Sequence, residues 1–424
     1  MFQKVFIMKE LQCSQDFKLF ASFGLLCVLV LLLVSCNDGL DDGSEVHGNQ
    51  QDIPVVHITT PDSVGIDSKE VWVKGGNIRI IDGAGKECLN VKADFRGRGN
   101  STWTMPKKPY AIKLAEKAEV LGMPRHKRWV LLANWMDRTL LRNDVSFQVA
   151  RLAFPWTPRG EFVELFLNGE YRGNYYLCEQ IKIDRNRVDI DEIEYSTDDI
   201  TGGYILEFDK YAVNEKNHFY TRYKNYPVEI KEPDEDVIYS PEHPAFVYIK
   251  DYVDNIEETF ENGTYEDITQ LIDVWSFVDF FLVYNLVGNT EATHPKSCYF
   301  YKKRGGLLYA GPVWDFDWGT FRPGLKGLVL TSALWYGYLL EYDEFRALLK
   351  KRWLELKPQF ESVQYYIGRK ANWIRESNED NFAMWPIDVV VNMDERLDFY
   401  EAVGRMRDVY LDRIDEIDAA LASF

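Results

Sequence analysis

The hydrophobic pattern changes near residue 235, and this change limits the fold more than any other feature of the chain. Between 53 and 235 the apolar residues fall in short runs that are typical of strands. From 236 onward they recur every three or four residues, as they do in amphipathic helices. A strand-rich block followed by a helix-rich block is typical of α+β proteins. The sequence therefore predicts an α+β, bilobal fold with a β-rich N-lobe at 53–235 and a helical C-lobe at 236–424.

Local patterns inside the two blocks refine this prediction. Asn168-Gly169 separates two apolar runs, and Asn-Gly favours the type I′ turn of a β-hairpin. A helix capped by Asp137 is predicted between the strands. The most apolar stretch, 267–287, is interrupted by two aspartates. It is therefore predicted to be a buried core helix rather than a membrane span.

The N-terminus has the pattern of an exported protein. Lysines precede an apolar run at 19–34, which is shorter than the ~20 residues of a spanning helix. The run ends in Leu-Val-Ser-Cys at 33–36, which resembles a bacterial lipobox. Residues 1–35 are thus predicted to be a lipoprotein signal peptide, Cys36 the lipidated residue, and 36–52 an acidic flexible tether. The alternative is a retained single-pass anchor. The predicted location is the outer membrane or the cell surface.

Charge and cysteine content exclude several classes of partner. The net charge is −18 with a pI near 4.9. A nucleic-acid polymer is not expected to bind, because that requires a basic surface. Beyond Cys36 the predicted mature chain contains Cys88, Cys178 and Cys298, far apart in sequence. This spacing fits neither a disulfide framework nor a zinc site.

The segment 96–113 is the most basic part of an otherwise acidic chain. It contains the run Arg-Gly-Asn-Ser-Thr-Trp at 98–103 and the run Pro-Lys-Lys-Pro-Tyr at 106–110. Glycine allows close approach of the backbone to a ligand, and Arg and Lys bind phosphate. An anionic ligand is one interpretation, and a solvated basic loop is the other. The P-loop signature is absent from the sequence.

Two further segments concentrate polar residues. The first, 134–143, contains Trp-Met-Asp-Arg-Thr and then Arg-Asn, and it is interpreted as a helix cap with surface ion pairs. The second places Glu179 at the end of a strand, where a carboxylate often pairs with a neighbouring cation.

The acids that follow buried elements are the most informative. Glu291 follows the core helix in Gly-Asn-Thr-Glu, and Asp315 and Asp317 lie in Trp-Asp-Phe-Asp-Trp-Gly after a pair of strands. Such carboxylates suit Mg²⁺ coordination in phosphoryl transfer. They would also suit a glycosidase carboxylate pair with aromatic sugar platforms. Sequence spacing does not decide between the two.

Taken together, these motifs resemble the CotH kinase family of spore-coat-type atypical protein kinases, which includes many bacterial lipoproteins. The resemblance spans about 90–320 and rests on the runs at 98–110, 135–143, 168–179 and 314–319. It implies an atypical protein-kinase-like fold. It also implies transfer of the ATP γ-phosphoryl group to Ser or Thr of protein substrates, with Mg²⁺, or Mn²⁺ in its place.

The resemblance also assigns roles to residues near the acids. Asp315 matches the family's metal-binding aspartate, and Asp317 would support a second ion. Glu291 stands where the family usually has an Asp, as the candidate base. Ser297 stands where the family has a metal-ligand Asn.

Nucleotide contacts are implied for a second group of residues. Lys108 and Lys113 would contact phosphate, and Glu179 would pair with one of them. Tyr110 or Trp314 would stack on adenine.

The departures at Glu291 and Ser297 leave a second hypothesis open. Glu is one methylene longer than Asp, and a shift of about 1 Å in a catalytic group can cost on the order of 100-fold in rate. ATP is also scarce outside the cytoplasm. The alternative is a catalytically weak pseudokinase that acts as a surface binding or structural lipoprotein.

Overall fold

In the described residues, seven strands close into a barrel. The structure, a computed structural model, describes residues 52–234, 236–387, 392–394 and 396–424. Around the barrel the strand order is β1-β2-β3-β4-β5-β7-β6. The strands are β1 (Val55–Thr59), β2 (Val73–Ile81), β3 (Glu87–Gly97), β4 (Tyr110–Val120), β5 (Met123–Leu132), β6 (Gly160–Leu167) and β7 (Glu170–Glu179).

The barrel closes through β1, which pairs antiparallel with β2 and parallel with β6. The β6–β7 turn supports this closure. Asn168 and Gly169 have φ values of 52° and 85°, as a type I′ turn requires, so the predicted hairpin is confirmed. Asn168 Oδ1 also accepts a hydrogen bond from Thr60 N at 2.8 Å, just beyond β1. One turn residue therefore shapes the hairpin and holds the closing strand.

Strand alternation separates the barrel interior from its outer wall. Ile80, Trp129 and Leu177 are buried inside it. On the outside, Val130 and Cys178 are equally buried, because they belong to the main core shared with the rest of the molecule. The barrel is therefore apolar on both surfaces where it packs against the other elements.

A second sheet has the order β12-β11-β8-β10-β9. One face carries Leu206 and Phe300, which lie in the main core. The other face carries a polar row, because Tyr299 pairs with Glu207 and Glu207 pairs with Glu229 across neighbouring strands. The strands are β8 (Tyr204–Phe208), β9 (His218–Tyr220), β10 (Pro227–Glu232), β11 (Cys298–Lys302) and β12 (Leu308–Ala310).

All the described helices except Arg375–Met384 contribute buried side chains to the main core that covers the apolar face of this sheet, and α4 (Val274–Leu286) is the most buried. Asp273 caps α4 by accepting from Ser276 N at 2.8 Å, so the predicted core helix at 267–287 begins only after this residue. Asp279 is paired with Arg352 at 2.7 Å. The helices are α1 (Arg142–Arg151), α2 (Pro244–Asn262), α3 (Tyr265–Thr269), α4 (Val274–Leu286), α5 (Tyr336–Leu339), α6 (Asp343–Trp373), α7 (Arg375–Met384) and α8 (Phe399–Ala422).

The α+β composition is as predicted, but the predicted bilobal, kinase-like arrangement is wrong. The first seven strands form a closed barrel, which the predicted β-rich N-lobe did not include. The second sheet joins β8–β10, from before residue 235, with β11 and β12, from after residue 297. All described residues fall in one compact unit. The error arose because hydrophobic periodicity identifies strands without showing which strands pair.

No helix in the described part of the chain has the length and hydropathy needed to cross a bilayer. The predicted signal peptide, Cys36 and nearly all of the predicted tether lie outside the described residues. Those assignments stay predictions.

Helix α7 is attached to the barrel by a buried lysine. The Lys107 ammonium donates to Asn174 O on β7 and, at 2.7 Å, to Asn381 Oδ1 on α7. It also lies 4.5 Å from the Tyr175 ring centroid. Burial lowers the pKa of Lys107 to about 7, with Glu164 opposing the shift.

This pKa predicts a distinct dependence of stability on pH. Since the folded-state pKa lies below that of an unfolded lysine, about 10.5, the unfolded chain binds more protons between pH 7 and 10. Stability from this group therefore rises with pH across that window. In urea titrations, the unfolding free energy of the wild type should increase with pH relative to that of Lys107→Met. Lys113→Met, which removes an exposed lysine, is the control. Parallel profiles for wild type and Lys107→Met would contradict the prediction.

Candidate functional site

Two loops meet at a group of carboxylates. The first follows α4 and carries Glu291, and the second follows β12 and carries Asp315 and Asp317. Thr290 N donates to Gly319 O at 3.2 Å across the junction. Gly319 has a φ of 73°, and a Cβ atom there would lie 3.1 Å from Thr290 Oγ1. Glycine at this position lets the loops approach.

A fourth acid, Asp209, joins them from the end of β8. Ser297 N donates to Asp209 Oδ2 at 2.8 Å. The Ser297 hydroxyl lies 3.3 Å from that oxygen and 3.4 Å from Asp315 Oδ2, and it can donate to one of them at a time. One serine thus lies between two carboxylates. We call Asp209, Glu291, Asp315 and Asp317 the acidic cluster.

Burial and mutual repulsion perturb this cluster. Burial, followed by the charge of Asp315, raises the pKa of Asp317 to about 8. Burial also raises the pKa of Asp209, with Glu207 adding to the shift. The pKa of Glu291 is raised by burial against the opposing effect of Lys296, whose Nζ lies 2.5 Å from Glu291 Oε1. A bound cation would relieve the repulsion among these groups.

The donor set fits Mg²⁺ in the way nucleotide-dependent enzymes hold it. Mg²⁺ is usually bound by one or two carboxylates, water and substrate phosphates rather than by an all-protein cage. Asp209, Asp315 and the Ser297 hydroxyl provide such a partial set. Among the described residues, no group of three or more Asp, Glu, His or Cys side chains is arranged to hold a metal ion.

A buried ion triad supports the Asp315 loop. The Arg142 guanidinium lies 2.5 Å from Asp137 Oδ1 and 2.5 Å from Asp394 Oδ2, and each of the three side chains is at most 3% exposed. We call the loop that carries Asp315 and Asp317 the acidic loop. Arg142 Nε also donates to Thr320 O at 3.2 Å, just past this loop. The surface pairing predicted for 134–143 is therefore wrong, because these charges are buried against a distant loop. The N-cap position of α1 is Leu141 rather than Asp137, but Asp137 Oδ2 does accept a hydrogen bond from Arg142 N, the first residue of the helix, at 2.8 Å.

Two asparagines hold the same loop by its backbone. Asn143 Oδ1 accepts from Phe316 N at 2.8 Å. Asn392 Oδ1 accepts from Gly319 N at 2.8 Å, and its Nδ2 donates to Asp317 O at 2.7 Å. The loop is thus fixed from α1 on one side and from the C-terminal region on the other.

One cation of the basic segment reaches the acidic loop. The Arg98 guanidinium lies 5.3 Å from the Trp314 ring centroid, next to Asp315 in sequence. Trp314 is 6% exposed and also packs on Phe147, with 5.7 Å between ring centroids. Because Arg98 and Phe147 occupy its surroundings, Trp314 has the environment of a core residue rather than of an open adenine platform.

A model of the family described as CotH kinase protein matches residues 95–416. The chain belongs to the CotH kinase family. This confirms the resemblance drawn from the motifs, and the match extends beyond residue 320, where those motifs end. The matched range contains the acidic cluster and the buried triad. A search of curated proteins found no match.

The CotH motif lysines are not brought to the acidic cluster. Lys108 and Tyr110 line a cavity at one end of the barrel. Lys113 lies exposed on β4, across from Asp94 and Arg128 in register. Their nucleotide contacts stay predictions, and the mechanism proposed for the acidic cluster does not use them.

Glu179 pairs with arginines rather than with Lys108 or Lys113. It is fully buried, and Arg159 binds it in bidentate fashion at 2.8 and 2.9 Å. Arg187 Nε lies 3.7 Å from its Oε1. The predicted Lys–Glu pair is corrected accordingly, since Glu179 joins the end of β7 to the segments at 159 and 187.

Sequence reasoning missed two residues of the site. Asp209 follows the apolar strand Tyr-Ile-Leu-Glu-Phe, the same strand-end pattern that drew attention to Asp315. Lys296 precedes Ser297 and is five residues from Glu291. This spacing alone does not predict an ion pair, which forms because the chain turns between the two residues. The first residue was therefore detectable from the sequence, whereas the second depended on loop geometry.

The buried triad gives a stability prediction. Arg142→Met leaves two buried carboxylates without their cation, which should cost about 3–5 kcal/mol of unfolding free energy. Urea denaturation measures the loss. Arg407→Met, which removes an exposed arginine paired with Asp408 at 3.4 Å, should change stability by less than about 0.5 kcal/mol. An Arg142→Met midpoint equal to that of the wild type would refute the role of the triad.

Proposed function

We propose that this CotH family member transfers the γ-phosphoryl group of ATP to Ser or Thr hydroxyls of protein substrates, with Mg²⁺, or Mn²⁺ in its place. The observation that carries the proposal is the convergence of Asp209 and Asp315 on Ser297, beside the Glu291–Lys296 pair. Paired carboxylates with nearby cations suit phosphoryl transfer, which depends on positioning and charge stabilisation.

Each residue has a defined task in this mechanism. Asp315, Asp209 and Ser297 would hold the ion, which supplies charge neutralisation at the phosphates when bound. Glu291 accepts the proton of the acceptor hydroxyl. Lys296 pairs with its Oε1 in this structure and is expected to turn to the phosphates when nucleotide binds, which leaves the Glu291 carboxylate free to accept the proton. The triad and the loop asparagines keep these groups in place.

Two cations are assigned to the phosphates. Lys296 lies among the carboxylates, where Asp315 and Asp317 both act on it. Arg98 approaches the same loop from the barrel side through its contact with Trp314. Arginine suits this task, because its planar fork binds phosphate oxygens in pairs.

The Glu291–Lys296 pair favours one alternative, a weak pseudokinase that binds nucleotide as a surface lipoprotein. An ammonium 2.5 Å from the carboxylate lowers its basicity. If Lys296 stays paired with Glu291 when nucleotide binds, the Glu291 carboxylate accepts the proton of the substrate hydroxyl more slowly, while nucleotide binding persists.

Label transfer from radiolabelled ATP tests the proposal. With Mg²⁺ or Mn²⁺, the wild type should label itself or a protein acceptor. Asp315→Asn and Asp209→Asn should each lower the rate on the order of 100-fold, because charge stabilisation at the transferring group is lost. Glu116→Gln, which removes an exposed carboxylate on β4, is the matched control.

Binding measurements separate the remaining outcomes. ATP that raises the melting temperature without label transfer would support the pseudokinase. ATP that neither stabilises the protein nor labels it would overturn both functions.

We also propose that the protein is membrane-anchored through lipid on Cys36 after removal of residues 1–35. The support is the lipobox-like run at 33–36 and the acidic stretch that follows it. Cys36→Ala should move the protein from the membrane pellet to the soluble fraction on cell fractionation. Retention in the pellet would assign the anchor to the apolar run at 19–34.

A further inference from the structure

A cavity of about 300 Å³ opens at the end of the barrel where β1, β3, β5 and β6 finish. Four aromatic side chains line it: Trp103, Tyr110, Tyr175 and Trp385. Its volume is at the lower end of the range for small-molecule sites, which suits one ring rather than a chain of rings. We call it the barrel-mouth cavity.

The polar groups of this cavity favour an anion. Arg172 pairs with the exposed Glu170 at 2.7 Å, but its Nε is buried and has no hydrogen-bond partner among the described residues. Lys108 Nζ donates to Trp103 O at 2.6 Å, which uses one of its three N–H groups. Asp67 is the acidic residue of the lining. Two cations therefore face one carboxylate.

Asp67 and Arg172 both act on the hydroxyl of Tyr110. Burial raises the pKa of Tyr110, while Arg172 and Asp67 act on it with opposite signs. Both charged groups are therefore near the Tyr110 ring. A ligand placed there would meet an aromatic face, a donor for an anion and an acceptor for a hydroxyl.

We propose that the barrel-mouth cavity binds a single sugar ring that carries one anionic group, either a carboxylate or a phosphate. The aromatic rings would cover the apolar C–H faces of the sugar. Arg172 and Lys108 would bind the anionic group, and Asp67 would accept hydrogen bonds from hydroxyls. Neutral sugars lack the anionic group with which Arg172 and Lys108 would pair.

This cavity is separate from the phosphoryl-transfer site. Asp209, Glu291 and Asp315 are not part of its lining. The segment between β3 and β4 contributes to both places, since Arg98 contacts Trp314 whereas Trp103 and Lys108 face the cavity. Sugar binding is therefore expected to survive loss of the acidic cluster.

Calorimetric titration of the full chain with glucuronic acid, glucose 6-phosphate and glucose tests the proposal. At least one anionic sugar should bind, and glucose should bind about tenfold more weakly, as loss of a charged hydrogen bond predicts. The tighter of the two anionic probes identifies the group. Arg172→Gln and Lys108→Gln should each weaken its binding about tenfold.

Matched variants locate the binding. Lys113→Gln, an exposed lysine on the same barrel, and Asp315→Asn should leave the affinity unchanged. The melting temperature of each variant should be measured to establish that it is folded. Equal binding of glucose, no binding of any probe, or an equal loss in Asp315→Asn and Arg172→Gln would overturn the proposal.

Discussion

The fold of the candidate site depends on the buried guanidinium of Arg142. It joins Asp137, just before α1, to Asp394, which is distant in sequence, and it reaches Thr320 O beyond the acidic loop. A charge so fully removed from water is tolerated only when its partners satisfy it. The contacts of Arg142 thus require three distant segments, at 137–142, 320 and 394, to assemble together. The acidic loop has its shape because those segments enclose it.

This assembly explains how several carboxylates can share a small volume. Burial, followed by repulsion from Asp315, raises the pKa of Asp317 to about 8, and burial with Glu207 and Asp315 raises the pKa of Asp209. Ionising these acids therefore opposes the folded state. The opposing forces come from hydrogen bonds to the loop backbone, which do not depend on the charge of the acids. A scaffold that holds like charges together is prepared for a cation and for phosphates, since their arrival removes the repulsion.

The sequence predicted local features well and distant contacts poorly. The Asn168-Gly169 turn was predictable, because its backbone conformation depends on those two residues. The acids at 291 and 315 were found because they follow apolar runs. Barrel closure was not predictable, since β1 pairs with a strand about 100 residues away. The burial of Arg142 was not predictable either, because nothing in the sequence distinguishes a buried arginine from an exposed one.

The closing strand β1 has a mechanical consequence. It is the first strand of the described residues, and it is hydrogen-bonded along both sides, to β2 and to β6. Tension applied through the preceding residues would pull along the strand axis, roughly perpendicular to those hydrogen bonds. Such a load shears the hydrogen bonds of both strand pairs, β1–β2 and β1–β6, together instead of breaking them one after another. A protein held at its N-terminus would therefore resist detachment of β1 with the strength of two ladders.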